Sequence, residues 1–192
     1  METVFAMLRL ERQPIARYSH KMTLGSFPIL FITATRIGDA VLSSGLLHRL
    51  AREVPNARFT IVAGPAAAPL FQDVPGLDQL IVLRKTKGGG HWFRLWQQVR
   101  KTHWGLIVDL RGSALSNLLR RKRRAVYRRG GGDPVHKVIE SARVLQLEAD
   151  PPAPYIYTSA ETELAARDIL PGTGPILALA PSANWVGKTW PL

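Results

Sequence analysis

A glycine and an acid, Gly38 and Asp39, stand where the apolar run at 28–34 gives way to a new spacing. Val41, Leu42, Leu46, Leu47 and Leu50 then fall on one face of a helix. A carboxylate at such a junction lies beyond the carboxyl end of a strand, where open α/β sheets bind ligands, and it can take a proton from a nucleophile there. The same residue type serves as a helix N-cap, its carboxylate accepting from a backbone N–H while Gly38 eases the turn. Position alone leaves these two readings even.

The loop "PSANWVGKTWP" at 181–191 also follows an apolar run. Within it "SANWVGKT" has the outline of a phosphate-binding P-loop, with Ser182 in place of the first glycine. In a P-loop the lysine and threonine already belong to the first helical turn, which would put Pro191 inside the helix, where it clashes and lacks a donor. Pro191 fits better as the first residue of a later helix. That leaves two readings of Lys188. It faces a phosphate together with backbone amides in a different loop geometry, or it is a solvated surface lysine.

A third stretch, "LLRRKRRAVYRR" at 118–129, carries seven basic residues in twelve. It reads as a solvated helix end whose cations complement the helix C-terminus, or as a contact for phosphates of substrate, anionic lipid or nucleic acid. No nucleic-acid module or aromatic stacking platform accompanies it, so nucleic acid is not the expected partner. The sequence contains no D-x-D, H-E-x-x-H or G-x-S-x-G pattern, and no metal is expected.

The elements that must position these groups alternate. Strand patterns at 28–34, 58–64, 78–84, 105–110 and 125–129 are separated by helix patterns at 39–53, 65–72, 92–102, 114–121 and 134–147. The apolar run at 78–84 predicts a buried strand. Such alternation implies right-handed crossovers and a Rossmann-like α/β domain with a parallel sheet. Residues 1–27 read as a loose extension, in which Met22 offers a second start. Residues 28–147 form the first domain, and 148–170 a proline-containing linker with a connecting helix at 160–169. Residues 171–192, with a strand at 175–180, are expected to open a second α/β domain inside which the chain stops.

Composition agrees with a globular protein, 46% hydrophobic and 21% charged. No apolar run is long enough to span a bilayer, the first residues lack a signal-peptide core, and cysteine is absent. A cytoplasmic protein is the expectation. Twenty-six Lys and Arg against 14 Asp and Glu give a formal charge of +12, which favours phosphate-bearing partners.

In order and spacing, "PILFITATRIGDAVLSSGLLHRL", "GLIVDLRGSALSNLL", "HKVIESARVLQL" and "LALAPSANWVGKTWP" resemble the N-terminal half of glycosyltransferase family 9, the ADP-heptose:lipopolysaccharide heptosyltransferases. The resemblance implies two Rossmann-like domains of the GT-B type, with donor and acceptor meeting in the cleft between them. It implies an inverting, metal-independent transfer in which Asp39 is the catalytic base. Lys188 would hold the donor diphosphate, with Ser182 and Thr189 beside it. Arg36, Arg111, His136 and Arg143 are the implied contacts for acid or phosphate groups of the acceptor. Many relatives have Gln where Arg111 stands and a Lys near Leu115. The implied partners are a nucleotide sugar, ADP-heptose, and a phosphorylated glycolipid of the lipopolysaccharide inner core, met at the cytoplasmic face of the inner membrane. The implied adenine and sugar contacts lie in the half of the family not covered, so this stretch by itself is expected to be inactive. The alternatives are another nucleotide sugar or acceptor within the family, or a non-catalytic basic α/β module that binds anionic lipid or nucleic acid.

Overall fold

The computed structural model describes residues 25–128, 135–170, 172 and 174–179. The chain divides into two units, residues 1–157 and 158–192. In the first, β1 (Phe27–Ile32) leads to α1 (Ile37–Glu53), β2 (Ala57–Ala63) and β3 (Leu77–Val82). Then come α2 (Gly90–Val99), β4 (Trp104–Asp109), β5 (Arg121–Val126) and α3 (Lys137–Ala142). The five strands form one parallel sheet in the order β3-β2-β1-β4-β5. This is the Rossmann-like arrangement expected from the alternation of elements.

Side chains on β1 alternate between two cores. Ile29 and Phe31 pack with Leu46, Leu47 and Leu50 of α1 and with Phe71, Leu145 and Leu147. Leu30 and Ile32 face the other way, toward Leu95 and Val99 of α2 and toward Trp104 and Ile107. A strand apolar at every position must be central, because both its faces are covered by helices. Each fully buried Leu, Ile or Phe side chain contributes about 1.5–3 kcal/mol. The sheet and its two layers therefore hold the strand ends in fixed relative positions.

Several boundaries differ from the sequence expectation. The strand predicted at 78–84 is the edge strand β3, in which only Ile81 is buried, because among the described residues no strand lies beyond it. The helix expected at 114–121 is a single 3-10 turn, Ala114–Asn117. The basic stretch after it is an edge strand rather than a helix end, with β5 starting at Arg121, ahead of the predicted 125–129. Lys122 and Arg124 point to solvent and Ala125 inward, and charge along an edge discourages pairing with another chain. The helix expected at 134–147 is α3 followed by a 3-10 turn, Arg143–Leu145, ended by Gln146 in the left-handed region (φ 54°). The helix expected at 65–72 is likewise a 3-10 turn, Ala68–Phe71.

The segment after Leu147 has no helix or strand up to Ser159, as its prolines predict, yet it is docked. Gly45 in α1 has room for no side chain: a Cβ there would lie 2.6 Å from the carbonyl oxygen of Pro152. The Tyr155 N–H donates to Ser44 Oγ (2.9 Å), the His48 ring stacks on Tyr155 (3.9 Å between centroids) and His48 Nδ1 pairs with Tyr157 OH (2.9 Å).

In the second unit, α4 spans Ala160–Ile169, matching the expected helix. Ser159 caps it by accepting from the Thr162 N–H (3.1 Å), and Glu161 and Glu163 in its first turn complement the helix dipole. The strand expected at 175–180 is not formed over 175–179, where Ile176, Leu177 and Leu179 are exposed. A strand exists only through a partner's hydrogen bonds, and these residues have none within the described chain.

Candidate functional site

The loops that leave β1, β4 and β5 at their carboxyl ends open onto one cleft of about 600 Å³. Arg36 enters it from the N-cap position of α1 and Asp39 from its first turn, Arg111 from the loop after β4, Tyr127 from the end of β5 and Lys137 from α3. Trp92 of α2 closes one side.

Asp39 is not a helix cap. The N-cap position of α1 is Arg36, which makes no side-chain capping bond, and Asp39 is the third residue of the helix. Of the two readings the sequence left open, the capping one is thereby removed. The carboxylate is half-buried and accepts no hydrogen bond from the described residues. Its charge is felt across the cleft by Lys137.

Arg111 is held from beneath. Asp109, fully buried at the end of β4, accepts from the Arg111 N–H (3.0 Å), the Ser113 N–H (2.9 Å) and the Ser113 hydroxyl (2.6 Å). Burial pushes the Asp109 carboxyl above its usual range, and these hydrogen bonds work against that rise. The turn also needs Gly112: its φ is +63°, and a Cβ would lie 2.8 Å from the Tyr127 carbonyl oxygen. Burial lowers the pKa of the Arg111 guanidinium, while the charge of Asp109 raises it. The guanidinium lies 4.9 Å from the centre of the Trp92 ring, a cation–π contact.

Lys137 forms the opposite wall. Its ammonium donates to Glu140 Oε2 (2.8 Å) and lies 5.1 Å from the centre of the Tyr127 ring, while the Tyr127 hydroxyl donates to Glu140 Oε1. The bond to Glu140 raises the Lys137 pKa, with burial acting in opposition and the charges of Glu140, Tyr127 and Asp39 adding to the rise. Glu140 is lowered in turn, first by Lys137 and then by Tyr127.

Of the residues singled out in the sequence, Asp39, Arg36 and Arg111 thus share one cleft. His136 does not line it: it is exposed and caps α3, its Nδ1 accepting from the Val138 N–H (3.3 Å). Arg143 lies in the turn after α3, also outside the lining, where its charge helps to lower Glu140. Ser182, Lys188 and Thr189 lie outside the described residues. Sequence reasoning missed Lys137, Tyr127 and Trp92. The Lys137–Glu140 spacing, one helical turn apart, was a readable signal for the first of these. Among the described residues no cluster of three His, Cys, Asp or Glu is placed to hold a metal, and no helix is long and apolar enough to cross a membrane.

No family model and no curated protein matches the chain by sequence. Solved structures do match in fold. The E. coli heptosyltransferase WaaC with ADP superimposes with a TM-score of 0.60 at 12% identity, over 86% of this chain and 61% of that one. A glycosyl transferase family 9 protein from Veillonella parvula gives 0.64 at 16% identity, over 88% and 57%. The E. coli ADP-heptose lps heptosyltransferase II gives 0.52 at 16%, over 74% and 50%. The chain spans half to three fifths of the length of these structures. By its parallel sheet and the cleft at the carboxyl ends of its strands, the chain is built on the Rossmann-like fold found in heptosyltransferases and family 9 glycosyltransferases.

Proposed function

We propose that this chain belongs to glycosyltransferase family 9 and forms the acceptor-side half of an inverting glycosyltransferase. The observation that carries the reading is the cleft itself, in which Asp39 has no hydrogen-bond partner among the described residues and faces the cations Arg36, Arg111 and Lys137. An acceptor bearing phosphate or carboxylate groups is drawn in by the three cations. One of its hydroxyls then attacks the anomeric carbon of a nucleotide sugar. The new C–O bond forms as the bond to the diphosphate breaks, and the hydroxyl proton passes to the Asp39 carboxylate. Charge that develops on the departing nucleoside diphosphate goes to Lys188 and the loop containing Ser182 and Thr189. Cations and amides can fill that role, so the proposed reaction calls for no metal.

In this reading the donor is ADP-heptose and the acceptor the phosphorylated inner core of lipopolysaccharide, at the cytoplasmic face of the inner membrane; the fold shared with heptosyltransferases supports it. A different nucleotide sugar would use the same cleft chemistry. The test is donor turnover by a chain that includes a complete second domain, with ADP-heptose and other nucleotide sugars, with and without EDTA. ADP release that depends on acceptor and survives EDTA supports the reading. A metal requirement, or no turnover of any nucleotide sugar, overturns it.

A further inference from the structure

Next to the cleft lies a second groove of about 520 Å³ that the proposed reaction does not use. It is walled by Trp92, Phe93 and Trp96 of α2 and by Leu115 and Leu118 after β4. Phe93 is 60% and Leu118 69% exposed, so large apolar side chains stand in water on both rims. Cations frame them. The Arg100 guanidinium lies 4.8 Å from the centre of the Trp96 ring. Arg121 donates to the carbonyl oxygens of Asn117 and Leu119 (3.2 and 2.8 Å), and Arg124 to the Asn117 side chain, beside Leu118. Between residues 79 and 132 the sequence holds 14 Lys and Arg and a single acid, Asp109. That acid is fully buried and offsets one of these charges at most.

We infer that this face of α2 and the 113–124 segment docks on an anionic phospholipid bilayer. Phe93, Trp96 and Leu118 enter the boundary between headgroups and acyl chains while the surrounding arginines meet lipid phosphates. An amphipathic helix with aromatic residues on one side and cations at its margins has this physical preference, its apolar area and its charges acting together. The aliphatic wall of Leu115 and Leu118 favours lipid over nucleic acid, since bases need flat rings free to stack. Phe93 and Trp96 already stack on one another, with centroids 5.8 Å apart. Trp92 lines both the groove and the cleft, so a membrane at this face brings lipid headgroups next to the cleft. The inference stands whether or not the cleft transfers a sugar.

The test is co-sedimentation of the 192-residue chain with vesicles of phosphatidylglycerol and phosphatidylcholine, compared with phosphatidylcholine alone. Binding is expected only with phosphatidylglycerol and should fall as salt is added. F93S combined with L118S should weaken it about tenfold or more, and R100E combined with R124E, which reverses two of the framing cations, by a similar factor. F93W should bind as well as the parent chain, and equal melting temperatures establish that the variants fold. Three results would overturn the inference: equal binding to both vesicle types, full binding by the F93S/L118S chain, or binding to an RNA oligonucleotide in the absence of any vesicle binding.

Discussion

Two carboxylates end up at neighbouring strand ends in opposite surroundings. Asp39 is half-exposed in the cleft and has no hydrogen-bond partner among the described residues, whereas Asp109 is fully buried and accepts three hydrogen bonds. Their replacement should therefore fail differently. Asp39→Asn is expected to lower kcat by roughly 10²- to 10⁴-fold in a chain with its second domain, with donor affinity unchanged. A near-normal rate with a lower melting temperature would reduce Asp39 to a charge at a helix start, worth about 0.3–1 kcal/mol. Asp109→Asn puts an amide donor against the Ser113 N–H or its hydroxyl. It should cost about 1–3 kcal/mol in denaturant unfolding and raise KM by releasing Arg111. Glu140 supplies the pH dependence. Its pKa is lowered in the folded state, so its contribution is complete above the ordinary carboxylate range and is lost as pH falls through it, below roughly 4.3. Glu140→Gln should flatten the acid limb of the stability profile, which thermal melts across that range would read. Asp109, raised by burial, acts with the opposite sign and favours the fold at low pH, so the flattening should be measured with Asp109 intact.

At the scale of elements, what the sequence reveals depends on how local its cause is. The central strands β1 and β4 are apolar along their length because both faces are covered, and their positions read directly from the chain. β3 and β5 did not read correctly, because being at an edge is a property of the sheet. Leu80 to Leu83 look as apolar as a core strand, and Arg121 to Arg124 look like a helix end, until the strand order is known. In the site, Asp39 was legible from its place after β1. Trp92 and Tyr127 were not, since they arrive from α2 and β5 and meet Arg111 and Lys137 only through the crossovers. Gly45 shows the same limit: within a helix pattern it looks like a weak position, and its cause is the strap at 150–157, about a hundred residues on. Gly45→Ala should thus destabilise by about 1–3 kcal/mol in spite of alanine's better helix propensity. Limited proteolysis should cut at 148–157 faster in that variant. Unchanged cleavage would show that the strap tolerates the methyl group.

At the scale of the whole molecule, the first unit ends at Tyr157 rather than at the last residue of the α3 region. A chain of residues 25–157 is expected to melt in one cooperative transition. Residues 28–147 should melt lower, having lost the Tyr155 and Tyr157 contacts to α1 along with Phe27. Equal melting temperatures would mean that the strap adds nothing to stability. The order β3-β2-β1-β4-β5 also sets a timetable for the chain as it leaves the ribosome. β1 can pair with β2 once Ala63 has emerged, but its other edge stays open until β4 is complete at Asp109. Synthesis at about 5–20 residues per second makes that gap a few seconds. For that time Leu30 and Ile32, later among the most buried side chains, have neither β4 nor Trp104 against them. The arginines of β5, which guard the finished edge, are made last of all the strands. The nascent chain is accordingly most exposed to misassociation, and most in need of a holding chaperone, between the synthesis of its second and fourth strands.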